Sequence, residues 1–305
     1  MNQAETTSTP LPSPPLARAE RAPSYRRATW RRLRKDTMSM VALALLTVIC
    51  LLAATAPLLT EHLLHTDPNK GRLTQKFQPP SKDHLLGTDD YGRDTLTRLL
   101  YAGRVSLYIG FLVAAVSLTI GVSVGLAAGY FGGKVDDAVN AVIQLVANIP
   151  SFFLLITLSA LFRPSVSALA LILAALGWTG IARQVRGRVF SERRRDYVDA
   201  AIVAGASTGS ILYRHILPNV SSIILVLAGF DIGGAILTEA GLSALGLGVQ
   251  IPTPSWGNML SKSFDYFTSA WWLVLTPGLM IFLTVFSVFQ LGDGLRDALD
   301  PRQKR

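Results

Sequence analysis

Six stretches of predominantly apolar residues, each roughly 17 residues or longer, divide this chain, and that is about the length an α-helix needs to cross the hydrocarbon core of a bilayer. They run from Met38 to Leu59, Val105 to Tyr130, Ala138 to Leu161, Ser165 to Ile181, Val220 to Leu247 and Ala270 to Leu291. Half of the 305 residues are hydrophobic and 16% are charged, against about a quarter in soluble domains. The sequence therefore predicts an all-α integral membrane protein with six transmembrane helices.

What lies between these blocks divides the chain further. Residues 1–37 hold five prolines among small polar residues and end in Arg31, Arg32, Arg34 and Lys35, the composition of a disordered basic tail. Residues 38–59 form the first span. Ala54-Thr55-Ala56 resembles a signal-peptide cleavage site, but the apolar run is too long for a leader and Pro57 would follow the cut. A polar loop, 60–104, precedes a five-helix core, 105–291, and a short tail, 292–305. In the second block Gly121, Gly125 and Gly129 share one helix face, where a neighbouring helix can approach closely. Gln144, Asn148 and Pro150 interrupt the third, and the proline leaves the Val146 carbonyl without its helical partner, so a bend is expected there.

Charge chooses the orientation. With six spans both termini share a side, and that side collects twenty Lys and Arg against nine on the other. The attraction of these residues to the cytoplasm places both termini and the 182–219 loop, between the fourth and fifth spans, inside. Trp271 and Trp272 are then expected at the outer membrane interface. Because the basic residues gather at the ends of apolar blocks, the net charge of +9 reflects contact with membrane lipid and not with nucleic acid.

No signature of catalysis accompanies this plan. A G-x-x-x-x-G-K-[ST] loop is missing, and the nearest stretch, Gly205 to Ser210, has no lysine to reach a phosphate. H-E-x-x-H does not occur, the two G-x-S-x-G strings, Gly121 to Gly125 and Gly205 to Gly209, lie in an apolar block and a helical loop and not at a strand-to-helix elbow, and the single Cys50 excludes an intrachain disulfide. Neither a resident cofactor nor a metal is predicted. His62 and His65 read as solvated loop residues.

The 182–219 loop is more informative. Asp196 can cap a helix whose first turn contains Asp199, and Ser207 or Thr208 can cap a second after a turn at Gly205. Two short helices at an angle are expected, with Ala200, Ala201 and Ala204 giving a low surface that another protein can approach, and Pro218 opening the fifth span. Asp231, about 18 Å of helix rise beyond Asn219, falls near the bilayer midplane, where an unpaired aspartate costs about 3 kcal/mol. It is read as an intramembrane polar site, with Gln144, Asn148 or Asn140 as candidate neighbours.

Asp199-Ala200-Ala201, Gly205 after three intervening residues, and Leu217-Pro218 resemble the EAA coupling loop of bacterial ABC importer permeases, with aspartate in place of the glutamate. His215 is similar to the arginine-histidine-isoleucine-leucine-proline form of the dipeptide, oligopeptide and nickel branch. His84 to Asp94, Ile236 to Leu260, and Gly292 to Pro301 resemble that branch in the same order.

The resemblance implies a permease subunit of the bacterial inner membrane that translocates peptides or nickel complexes. It also implies a second homologous permease, two cytoplasmic ATPase subunits that hold ATP and magnesium, and an extracytoplasmic substrate-binding protein. Asp199, Ala200, Ala201, Gly205, His215, Leu217 and Pro218 would then face the ATPase. An ion-coupled secondary transporter or channel subunit is the alternative, but it would be expected to carry clustered intramembrane acids or inverted repeats.

Overall fold

The apolar blocks fold as helices in the computed structural model, which describes residues 25–261 and 263–299. In chain order these are α1 (Tyr25–Leu33), α2 (Thr37–Ala54), α3 (Ala56–Leu59), α4 (Thr95–Phe131), α5 (Gly133–Ala147), α6 (Ser151–Phe162), α7 (Val166–Glu192), α8 (Asp196–Val203), α9 (Thr208–Ser210), α10 (Leu217–Ala244), α11 (Trp256–Leu260) and α12 (Trp272–Leu299). Among the described residues, β pairing is confined to two isolated bridges, Gly71 with Arg93 and Thr88 with Asp94. Five helical runs among the described residues are long and apolar enough to cross a membrane, and α5 with α6, bent by 65°, make a sixth crossing when taken as one span.

The bend has the cause expected of it. Pro150 offers no N–H to the Val146 carbonyl, which accepts instead from Ile149 at 3.2 Å, and this tighter turn closes α5 before α6 starts.

Other boundaries move. α4 begins inside the predicted polar loop because Asp94 caps it, accepting from the Thr97 amide at 2.8 Å. Residues 25–33, placed in the disordered tail by composition, form α1, whose Arg32 reaches the Ala298 carbonyl at 3.5 Å. The proline-rich segment before Tyr25 and the Asp300-Pro301 pair lie outside the described residues. A π-helical turn, Ile211–Ile216, joins α9 to α10, so one helical run extends from Thr208 to Ala244. Of the two short helices expected in the 182–219 loop, only α8 stands free; the second is the foot of the span.

Lipid gives helices no hydrophobic reason to associate, so close backbone approach matters. α4 and α7 run parallel with the glycine stripe between them. A Cβ at Gly121, Gly125 or Gly129 would lie 2.7 Å from Ile181 Cβ, 2.8 Å from the Ala182 carbonyl oxygen or 2.7 Å from Val189 Cβ. α10 runs antiparallel to both α4 and α12, packing Gly229 so tightly that a Cβ there would sit 2.9 Å from the Val288 carbonyl oxygen.

These packings sort the connections onto two ends. α1, the end of α12, the α4–α5 turn and α8 share one end, where Val189, Val198, Ile216 and Val220 belong to a single buried cluster. At the other lie the 60–94 segment and the 246–271 connection. Trp272 belongs to that connection's core rather than to a membrane interface: it is 4% exposed, and its indole N–H donates to the Thr88 carbonyl at 3.2 Å. Only Trp271 remains open, at 49% exposure.

Candidate functional site: a coupling platform

α8 is short, and its two sides differ. Val198 and Ala201 turn inward against Ile211 and Ile216, while Asp199, Ala200, Ile202 and Val203 face out. Ile202 is 52% exposed and Val203 89%, an apolar edge that no described residue covers. Arg195, not Asp196, occupies the N-cap position and makes no side-chain cap, whereas Asp196 and Asp199 both lie in the first turn, where carboxylates favour the positive end of the helix dipole. The aspartate at 196 is therefore a dipole partner and not the expected cap.

Gly205 ends this element at φ +80°, a region that costs an L-residue about 1–2 kcal/mol, and a Cβ there would meet nothing within 4 Å. The constraint is the backbone's alone. Ser207 then caps α9, its hydroxyl accepting from the Ser210 amide at 3.4 Å. His215 and Leu217 are half-buried in the foot of α10, Pro218 is exposed in its first turn, and Asn219 donates to the His215 carbonyl at 2.6 Å. The seven predicted loop residues thus share one end of the bundle, divided between a free helix and the base of a span.

A carboxylate that the sequence reading passed over fixes α8 to α7. Glu192, 4% exposed at the last position of α7, receives the Tyr197 hydroxyl at 3.0 Å, Arg188 at 3.1 Å and Arg195 at 3.7 Å. Burial, with the Glu192 hydrogen bond behind it, pushes the Tyr197 hydroxyl up to about 12, so it stays a donor. The sequence analysis gave these residues no role; the tyrosine beside the charges was the available signal.

Inside the bundle Asp231 does pair with another helix, but not with the one expected. Its carboxylate accepts from Ser117 of α4, while Gln144 and Asn148 stand exposed on α5 and its end. Serine is small enough to sit where α4 and α10 cross. A second acid on α10, Glu239, is fully buried: Oε1 accepts from Ser243 at 2.6 Å and Ser255 at 2.7 Å, and Oε2 faces Ser106 at 3.5 Å. Ser106 in turn accepts the Trp256 amide at 3.1 Å, so α4, α10 and α11 meet on one carboxylate. Glutamate with serine one helical turn later was visible in the sequence; Ser106 and Ser255 were not predictable partners.

At the far end, Asp89 accepts the amides of Tyr91 and Arg93, both at 2.9 Å, and the Arg93 Nε at 2.6 Å. It orders a turn and caps no helix. Asp94, the cap of α4, also bonds His84 at 2.9 Å. Among the described residues no group of His, Cys, Asp and Glu is arranged to hold a metal.

This architecture has known counterparts. The description "Binding-protein-dependent transport system inner membrane component" matches residues 121–305, and "N-terminal TM domain of oligopeptide transport permease C" matches residues 24–80. The dipeptide transport system permease protein DppC of Alkalihalophilus pseudofirmus is 39% identical over 303 residues, covering 99% of this chain and 98% of that one. The oligopeptide transport system permease protein OppC of Bacillus subtilis is 36% identical, covering 90% and 88%. A chain of the MetNI methionine ABC transporter, solved in inward-facing conformations, superposes with a TM-score of 0.56 at 19% identity over 67% of this chain and 96% of that one, a likeness of fold. Because the family description matches residues 121–305, more than half its length, and a relative 39% identical covers 99% of it, the chain belongs to the family of binding-protein-dependent transport system inner membrane components.

Proposed function

We propose that this chain is one of two membrane-spanning subunits of a peptide importer, oriented with both termini and α8 in the cytoplasm and driven by ATP hydrolysis on two partner ATPase subunits, which hold the ATP and magnesium. An extracytoplasmic binding protein delivers the peptide to the opposite end. The observation that carries this reading is the uncovered edge of α8, Ile202 and Val203, on a helix fastened through Glu192 to one span and packed on the foot of another. An apolar edge held on a rigid mount supports docking of a second protein whose movement must reach the spans.

The dipeptide and oligopeptide permeases among its relatives support peptides as the cargo. In this reading Asp199, Ala200 and Gly205 form the contact, Ala201 seats α8 against Ile211, and His215, Leu217 and Pro218 pass the displacement to α10. Asp231 serves the bundle as the partner of Ser117. Co-expression with its partner subunits tests the whole. Purification through this chain should recover an ATPase, and proteoliposomes should take up a labelled dipeptide only with ATP and the binding protein. Uptake driven by an ion gradient without ATP, or uptake of a nickel complex in preference to the peptide, would overturn the corresponding part.

A further inference from the structure

A cavity of about 560 Å³ lies at the end of the bundle opposite α8, between the 89–98 stretch and the 246–263 connection. That volume is in the range of sites that take small ligands. One wall is apolar, formed by Val249, Ile251, Pro252, Met259 and Leu273; the other carries Asp89, Asp90, Arg93 and Arg98.

The charged wall is not balanced group by group. Asp89 is saturated by two amides and Arg93, with Arg98 Nε a further 3.5 Å contact. Each guanidinium has one fixed hydrogen bond. Arg98 donates Nη1 to the Pro68 carbonyl at 2.9 Å, and Arg93 lies over the Tyr91 ring at 4.5 Å with its Nε on Asp89. Asp90 receives no side-chain hydrogen bond among the described residues: Arg93 Nη2 stands 3.7 Å away, beyond hydrogen-bond reach. Its carboxyl is held above the ordinary value by burial first and by the Asp89 charge second, which together outweigh the lowering by Arg93, its own amide and Lys76.

A second feature of the wall is independent of the charges. Thr95 is 0% exposed, and its hydroxyl has no hydrogen-bond partner among the described residues. Native structures rarely leave such a group unpaired, and here it lines the cavity.

We propose that this cavity binds the amino-terminal end of a short peptide, with Asp90 receiving the free α-ammonium, the Thr95 hydroxyl bonding the first peptide unit, and the apolar wall taking the first side chain. The assignment rests on the peptide reading above and adds which end of the substrate this subunit recognises. An ammonium supplies the charge-assisted side-chain bond that Asp90 lacks.

The test uses the assembled transporter in lipid nanodiscs without its binding protein, titrated calorimetrically with leucyl-leucine and with N-acetyl-leucyl-leucine. The free peptide should bind at least tenfold more tightly than the acetylated one. Asp90→Asn should remove that difference, Thr95→Val should weaken the free peptide severalfold, and Met259→Trp, which fills the cavity from its apolar side, should abolish binding. Equal affinities on the wild-type protein, or no binding of either peptide because another subunit covers the cavity, would overturn the proposal without reference to any variant. Uptake by the complete transporter separates the two readings. Peptide uptake without this discrimination removes the cavity site alone, whereas no peptide uptake removes the functional reading and the site with it.

Discussion

The Tyr197 hydroxyl donates to Glu192 Oε2 at 3.0 Å across the corner where α7 ends and α8 begins, so one buried carboxylate belongs to both helices. Arg188 and Arg195 hold the same group from either side, and removing one donor from such a cluster loosens the corner without emptying it. Tyr197→Phe keeps the ring and loses the bond. Peptide uptake per ATP hydrolysed should fall severalfold while the amount of co-purified ATPase stays near normal. An unchanged ratio would show that the corner does not transmit the stroke.

The same tyrosine makes a statement about pH. Its value is raised in the folded protein to about 12, so folding favours the neutral, donating form. The stabilisation is fully present below the ordinary tyrosine value of about 10 and is lost as pH rises through about 12. Between about pH 6 and 9, therefore, the pH profiles of wild type and Tyr197→Phe should have the same shape. Phenolate absorbance provides the check: the signal missing from the variant should appear above about pH 11, and a missing signal centred near 10 would mean the hydroxyl is unbonded.

Gly205 and Ala201 test the platform in different ways. Gly205→Val meets no neighbour, yet it must adopt φ +80°, so it should tilt α8 at a cost of at least about 1 kcal/mol. Ala201→Glu drives a charge into the buried face between α8 and Ile211. Both should reduce transport and loosen ATPase docking with binding-protein capture of peptide intact. Normal uptake and normal ATPase recovery in both variants, at matched membrane levels, would remove the coupling role.

The α4–α7 seam sets a structural expectation. Gly125→Leu would press on the Ala182 carbonyl oxygen and on Val185, which cannot both retreat, and should lower the midpoint of thermal unfolding in detergent or block accumulation in the membrane. Gly180→Ala, on the neighbouring helix with nothing within 4 Å, should be neutral or stabilise by up to about 1 kcal/mol. Equal effects of the two would show that the seam is not tightly closed.

Orientation can be read with impermeant thiol reagents in a Cys50→Ala background. Cysteine at Ser207, exposed beside α8, should react only after the membrane is opened, and cysteine at Leu73, 74% exposed in the 60–94 segment, should react in intact cells. Reversal of that pattern would invert the proposed topology.

Much of the fold was legible because its causes are local. Pro150 has no amide wherever it stands, Gly205 announces a turn, and three glycines at helical spacing mark a seam whatever packs against it. Features that depend on distant segments were hidden. Glu239 meets Ser106 across 133 positions, and Trp272 meets Thr88 across 184, so neither the buried carboxylate nor the buried indole could be told from residues free to face lipid or water. Asp231 shows the limit most directly: its need for a partner followed from burial cost, but which helix supplied it depended on packing that periodicity does not encode. In the 182–219 loop the turn was readable, and the continuity of its second half with α10 was not.

That continuity reaches across the membrane. α10 has 28 residues, about 42 Å of rise, and Gly229 and Gly233 bring it close against α12 near its middle. In the proposed importer a stiff rod pivoting at mid-height would act as a lever, so that a sideways push at Ile216 would arrive at Glu239 reversed in direction. Drawing the feet of such rods together at the ATPase surface would then spread their heads at the other, opposing the two ends of the proposed path by leverage, with no separate signal needed.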